Sequence, residues 1–444
     1  MFKRLMFNTK QLSQFILRRD RFRLPIWILS ITLTVVVVAA AYPGLFPTLE
    51  ERQALAIMME NPAIIFMLGP STGLDNYTVG AMFGHEMLIF TGITAAIMNI
   101  LLFTRHTRSD EEEGRIEVIR SLPVGRLANI TSTTIILFIA NIVLGLLIGL
   151  GLTVLNIESI DFESSLLFGL SIGVMGIFFM GVTAVFAQLA ETSRGAIGFS
   201  FAFMILIYII RGIGDVSYPA LSWVAPFTWI VKTEVFVSNN WWPLIITLVV
   251  SLLIIALAYY LNSIRDLEAG FIPAKPGRSE ARSYLKSPLG LGIRILRLTI
   301  ISWLLGIFVI GLSYGSIFGE MDTFLENPVL AEVLPEVEGY SKEVLFLSFL
   351  NIIMSMLCAI PALIITLKIK GEENRGRIQH FLSKRISRNQ IIGSYLFLAI
   401  VAAIFSLFLS GLGLWLAIIA VMENPISFGT IISSAIIYLP ALLF

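Results

Sequence analysis

The sequence predicts an all-α, polytopic bundle of transmembrane helices, built as two tandem repeats of about six spans with the second repeat truncated. Three observations carry that prediction. First, 57% of the 444 residues are hydrophobic, only 14% are charged, and mean hydropathy is +0.87. The apolar residues come in long uninterrupted runs that a soluble domain of this size has no way to bury, so their solvent is lipid. Second, the window Asp110–Arg126, DEEEGRIEVIRSLPVGR, returns 262 residues later as Glu372–Arg388, EENRGRIQHFLSKRISR. Six of seventeen aligned positions are identical (Glu111/Glu373, Gly114/Gly376, Arg115/Arg377, Ile116/Ile378, Ser121/Ser383, Arg126/Arg388), where about one is expected by chance. Third, basic residues are segregated. With the amino terminus inside, 27 of the 31 Lys and Arg fall in inside segments, which sets that orientation and puts both repeated loops in the cytoplasm.

Taken in order, residues 1–23 form a basic arm in which Lys3, Arg4, Lys10, Arg18, Arg19, Arg21 and Arg23 alternate with Phe2, Leu5, Phe7, Phe15, Ile16, Leu17 and Phe22. That mixture suits a helix in the headgroup layer of an anionic leaflet, with a disordered basic tail as the plain alternative. The arm lacks the short apolar core and small-residue cleavage site of a signal peptide, so the first span inserts and stays. Runs long enough to cross, or nearly so, are expected at about 24–45, 82–103, 129–155, 166–190, 196–213 and 243–263 in a first half covering 24–263. A polar linker at 264–294 with Pro273, Pro276, Gly277, Pro288 and Gly290 separates it from the second half, 295–444. There the spans are 297–318, 344–367, 391–420 and 428–444, and by the repeat offset Phe444 falls inside the counterpart of the fourth.

Between the spans, residues 319–343 are acidic, and 218–242 collect Trp223, Trp229, Trp241 and Trp242 among prolines, as an interfacial or re-entrant segment would. The triplet Glu-Asn-Pro at 60–62, 326–328 and 423–425 marks turns. Gly145, Gly149 and Gly151, with Gly169, Gly173, Gly176 and Gly181, give small faces for close helix packing. Arg211 and Asp215, four apart, suit an interfacial ion pair, and His85 and Glu86 a water-facing helix end.

In the first repeated loop Ile116, Ile119 and Leu122 recur every three residues before Pro123; in the second, Ile378, Phe381, Leu382 and Ile386 share a face. Each loop reads as a short amphipathic helix, with acids suited to a helix amino terminus. A single such loop is most simply a charged helix resting on the membrane. Two equivalent loops can engage two equivalent partner sites.

DEEEGRIE followed by Leu-Pro-Val-Gly-Arg resembles the cytoplasmic loop after the second span of type-2 ATP-binding-cassette exporter permeases. Thr192-Ser193-Arg194-Gly195-Ala196-Ile197-Gly198, Tyr208, Arg211-Gly212-Ile213-Gly214-Asp215, Leu221-Ser222-Trp223 and Pro226-Phe227-Thr228-Trp229 are similar to the duplicated, polyketide-antibiotic (tetronasin-resistance-type) exporters of that class. Thr228 stands where Gly is usual, and Arg385 replaces the loop proline in the second copy. The resemblance implies a bacterial or archaeal membrane permease that moves hydrophobic or amphiphilic drug-like compounds outward. Two copies of a separate cytoplasmic ATPase would bind ATP and Mg, this chain holding no cofactor and no nucleic acid. It implies further that Glu111, Glu112, Glu113, Gly114, Arg115, Ile116, Glu117, Pro123 and Arg126, with Glu373, Gly376, Arg377, Ile378 and Arg388, form or shape the ATPase contact. In agreement, the chain carries no G-x-x-x-x-G-K-[ST] phosphate loop.

Rival classes fit less well. An ion-coupled transporter needs ionisable groups at membrane depth, and the predicted span interiors are essentially free of them. A membrane enzyme needs clustered acids or histidines, yet His85, His106 and His380 are scattered, and the single Cys358 excludes an intrachain disulfide or cysteine metal cluster. A scaffold that only recruits an ATPase remains open to a flux assay.

Overall fold

The computed structural model describes residues 5–273, 280–320, 342–374, 376–383, 386–422 and 425–443. They belong to two compact units, Met1–Pro276 and Gly277–Phe444. Among the described residues the secondary structure is helical apart from an isolated bridge between Ala190 and Ile272.

Unit one opens with α1 (Thr9–Arg19), α2 (Arg23–Leu45), α3 (Leu49–Met58), α4 (Pro62–Leu68) and α5 (Val79–Thr104). The loop helix α6 (Arg115–Arg120) leads to α7 (Ala128–Val154), α8 (Phe162–Leu189), α9 (Ser193–Ser217), α10 (Pro226–Val231) and α11 (Trp242–Ile264). The starts are written locally: Thr78 Oγ1 accepts from the Ala81 amide at 3.1 Å, Asp161 Oδ1 from Ser164 at 2.9 Å, and Thr192 Oγ1 from Gly195 at 3.1 Å. Unit one closes around α8, which α5, α7 and α11 flank. The glycines do the packing expected of them. A Cβ on Gly169 would stand 2.1 Å from the Gly145 carbonyl, and one on Gly173 would stand 2.5 Å from that of Asn141, so α7 and α8 touch backbone to backbone.

At the centre of this contact Asn99 (α5) and Asn141 (α7) exchange amide hydrogen bonds at 2.9 and 2.8 Å, both fully buried. Each second N–H goes to a carbonyl one turn back, Ala95 or Leu137, so no amide proton is left over. A Cβ at Gly176 would lie 2.0 Å from Asn141 Oδ1, so glycine is what leaves room for the pair.

Unit two contains α12 (Pro288–Ser316), α13 (Lys342–Asn374), the second loop helix α14 (Arg377–Leu382), α15 (Arg388–Val421), α16 (Phe428–Ile436) and α17 (Leu439–Leu443). Close contact of α12 with α15 again uses glycine: a Cβ on Gly413 would meet the Phe308 carbonyl at 2.4 Å.

Among the described residues nine helices are long and apolar enough to cross a membrane, where ten runs were expected. The tenth, 428–444, is broken into α16 and α17, with Pro440 near the start of the new helix, where a missing N–H is harmless. The arm is a helix, but not one lying only on lipid: Leu12 and Ile16 are buried with Ala128 and Ile136 of α7, while Phe15 and Phe22 stay exposed. His85 and Glu86, expected at a plain water-facing end, are half-buried and hydrogen-bonded inward. His85 Nε2 lies 2.9 Å from the Gly69 carbonyl, and Tyr42 donates to Glu86. Arg211 and Asp215 do pair, at 3.3 Å, but fully buried, with Arg211 also donating to the Phe66 and Met67 carbonyls. The expected features at 321–341, Arg385, 423–424 and Phe444 lie outside the described residues.

Candidate functional site

Loop one begins inside a helix. α5 continues through a π turn, Arg105–Ser109, and a last turn, Asp110–Glu112, so the acids close one helix instead of opening the next. Gly114 then takes φ +73°, a left-handed conformation open to glycine, and α6 starts in a new direction. The helix stops at Arg120, before Leu122, so the three-residue recurrence does not make one face. Ile116 is buried, Ile119 is half-buried beside Leu12 and Ile16, and Leu122 is 59% exposed. Val118, at 68% exposure, is the other apolar side chain turned outward.

Each acid has a separate destination. Asp110 Oδ2 meets Arg19 of the arm at 2.7 Å, and its Oδ1 accepts from Arg115 at 2.6 Å. That bond raises the Arg115 guanidinium above its ordinary value. Glu111 is a buried hub, accepting from Arg108 at 3.0 Å, Arg265 at 2.7 Å and the Glu268 amide at 2.6 Å. Arg108 also donates to the carbonyls of Glu191, Glu268 and Ala269. Glu112 accepts from the Ser193 amide at 2.9 Å and its hydroxyl at 2.5 Å, which caps α9 beside Thr192. Glu113 is exposed and pairs with Arg115. Glu117 and Pro123 are exposed; Arg126 is exposed and donates to the Arg265 carbonyl at 2.7 Å.

The arm clasps the end of the same loop. The amides of Gly125 and Leu127 donate to the Phe7 and Leu5 carbonyls at 3.0 and 2.9 Å, and Asn8 Nδ2 donates to the Pro123 carbonyl at 2.7 Å. Arg19 donates to His106 Nδ1 at 2.5 Å while His106 Nε2 faces Asp20, so the ring bridges the two arm residues. Loop one is therefore wired to the arm, α9 and the stretch after α11. Sequence reasoning placed the loop but missed Asp20, His106, Arg108 and Arg265. Their one signal was charge next to span ends, which gives no pairing.

Loop two repeats the core of this geometry. Gly376 has φ +69°, and Arg377 reaches back to the buried Glu372 at 3.2 Å, the counterpart of the Arg115–Asp110 bond. Lys368 meets the same carboxylate at 3.4 Å. The hub is different: Glu373 is exposed and faces only the exposed Arg388, at 3.6 Å, among the described residues. Ile378 is partly buried against the unit-two core.

A family model described as "Multidrug efflux system permease Rv1217c, C-terminal domain" matches residues 13–261 and 285–444. The multidrug efflux system permease protein Rv1217c of Mycobacterium tuberculosis (strain ATCC 25618 / H37Rv) is 31% identical over 439 residues, covering 98% of this chain and 79% of the relative. Matched over both repeats and through both loops, the chain belongs to the Rv1217c multidrug efflux permease family.

Proposed function

We propose that this permease is driven by ATP hydrolysed on two copies of a separate cytoplasmic ATP-binding-cassette subunit, one docked at each repeated loop. The observation that carries the reading is the duplicated latch: an acid, a left-handed glycine and an arginine reaching back, at Asp110–Gly114–Arg115 and Glu372–Gly376–Arg377. Two such elements present short exposed helices to two equivalent partners. In loop one Glu113, Arg115, Glu117, Val118, Leu122 and Pro123 offer the contact, while Glu111, Glu112, Gly114, Ile116 and Arg126 hold its shape. In loop two Glu373, Arg377 and Arg388 offer it, with Gly376 and Ile378 behind. The Lys and Arg bias supports a cytoplasmic side for both loops and the amino terminus. ATP and Mg sit on the partner, and closure of its two copies shears packed helices to open the path outward. The cargo is a hydrophobic or amphiphilic drug-like compound; the 192–229 motifs favour the antibiotic-exporter branch.

The test is co-purification of the intact permease with its ATPase, followed by ATP turnover. Arg115→Glu with Arg377→Glu is expected to abolish association. Val118→Asp, which leaves the latch untouched, should weaken it about tenfold or more, the loss of one buried apolar anchor. Unchanged association and turnover in both variants would overturn the reading.

A further inference from the structure

We propose that Arg120 and Arg126 grip the phosphate of a membrane phospholipid headgroup, and that Asp266 beside them receives the ammonium of an amine-bearing one. The three side chains line, with Val124 and Leu267, an open cleft of about 290 Å³. Arg120 and Arg126 also border the deeper recess that holds Arg108, Arg265 and Glu111. Four guanidinium groups thus face two carboxylates, and one carboxylate is already committed: Glu111 is filled by Arg108, Arg265 and the Glu268 amide. Arg126 gives one N–H to the Arg265 carbonyl. Among the described residues the side chains of Arg120 and Asp266 have no hydrogen bond or ion pair. Partial burial lowers the Arg120 guanidinium from its ordinary value; Glu111 opposes this, and the charges of Arg126 and Arg265 add to it. An anion between Arg120 and Arg126 relieves that repulsion.

Depth selects the ligand. Arg126 stands two residues before α7 begins, and Asp266 two residues after α11 ends at Ile264, which is itself exposed. Groups so close to span ends lie at headgroup level, where basic pockets recognise phospholipids. Guanidinium forks match phosphate oxygens in shape and charge. Asp266 on the same wall repels a second negative charge and attracts a cation, which favours a phosphoethanolamine headgroup over a purely anionic one.

The test is native mass spectrometry of the intact permease, purified in detergent, stripped of lipid and titrated with phosphatidylethanolamine, phosphatidylglycerol or inorganic phosphate. Phosphatidylethanolamine should bind best, Arg120→Gln with Arg126→Gln should weaken it at least about tenfold, and Asp266→Asn should erase its advantage over phosphatidylglycerol. Arg120→Gln alone, at a side chain without a partner, keeps the test open should the double variant fail to fold. Equal binding by wild type and the glutamine variants would overturn the proposal. So would phosphatidylglycerol binding as well as phosphatidylethanolamine in the wild type, or inorganic phosphate displacing the lipid, which would make the ligand free phosphate. Unaltered lipid binding with lost ATPase association in the variants would assign the arginines to the partner protein instead.

Discussion

The carboxylate of Glu111 accepts from two buried guanidinium groups and a backbone amide, whereas Glu373, the same residue of the repeat, is 59% exposed and among the described residues pairs with Arg388. Removing one partner of a buried set strands the others, so Glu111→Ala is expected to destabilise unit one by about 3–5 kcal/mol. Glu373→Ala should cost less than about 1 kcal/mol. Thermal unfolding of the two variants in one detergent checks the contrast, and equal shifts would refute the hub. The repeat identities made Gly114 and Gly376 visible in the sequence, and their positive φ supplies the reason. Nothing lies within 4 Å of a Cβ at either site, so Gly→Ala there costs backbone strain alone, about 1 kcal/mol. Asp20 and His106 were not legible, because 86 residues separate them and no local pattern couples an arm to a span end.

Among the elements, the arm shows what periodicity can and cannot tell. Alternating basic and apolar residues announced an amphipathic helix, but not that one apolar edge, Leu12 and Ile16, belongs to α7. Removing residues 2–20 is therefore expected to speed amide exchange across 110–126 and leave 376–383 unchanged, measurable by hydrogen–deuterium exchange with peptide mapping. The glycine stripe read correctly as packing, though the Asn99–Asn141 pair it accommodates did not stand out among span residues. Gly176→Ala should cost about 1–3 kcal/mol, since the new methyl must displace a fully bonded amide. Gly198→Ala, with open space around its Cβ, serves as the silent control.

For the whole molecule, hydropathy located the spans because lipid forces every backbone polar group into a helix, a constraint that needs no partner to be read. At 428–444, a run only nearly long enough to cross, the described residues form α16 and α17, with Pro440 at the start of the second. Orientation is open to direct measurement. Cys358 is fully buried, so a Val118→Cys chain has one accessible thiol, expected to react with an impermeant maleimide in inside-out vesicles and not in right-side-out ones. The unequal wiring of the two loops bears on how the halves diverge after duplication. A substitution at Glu111, Arg108 or Arg265 disturbs the other two at once, so loop one is free to drift only through compensated steps. Loop two, whose corresponding acid is exposed and pairs with the exposed Arg388 among the described residues, accumulates change singly. It reads Arg-Ile-Ser-Arg where loop one reads Pro-Val-Gly-Arg, and across relatives the second loop should vary faster than the first.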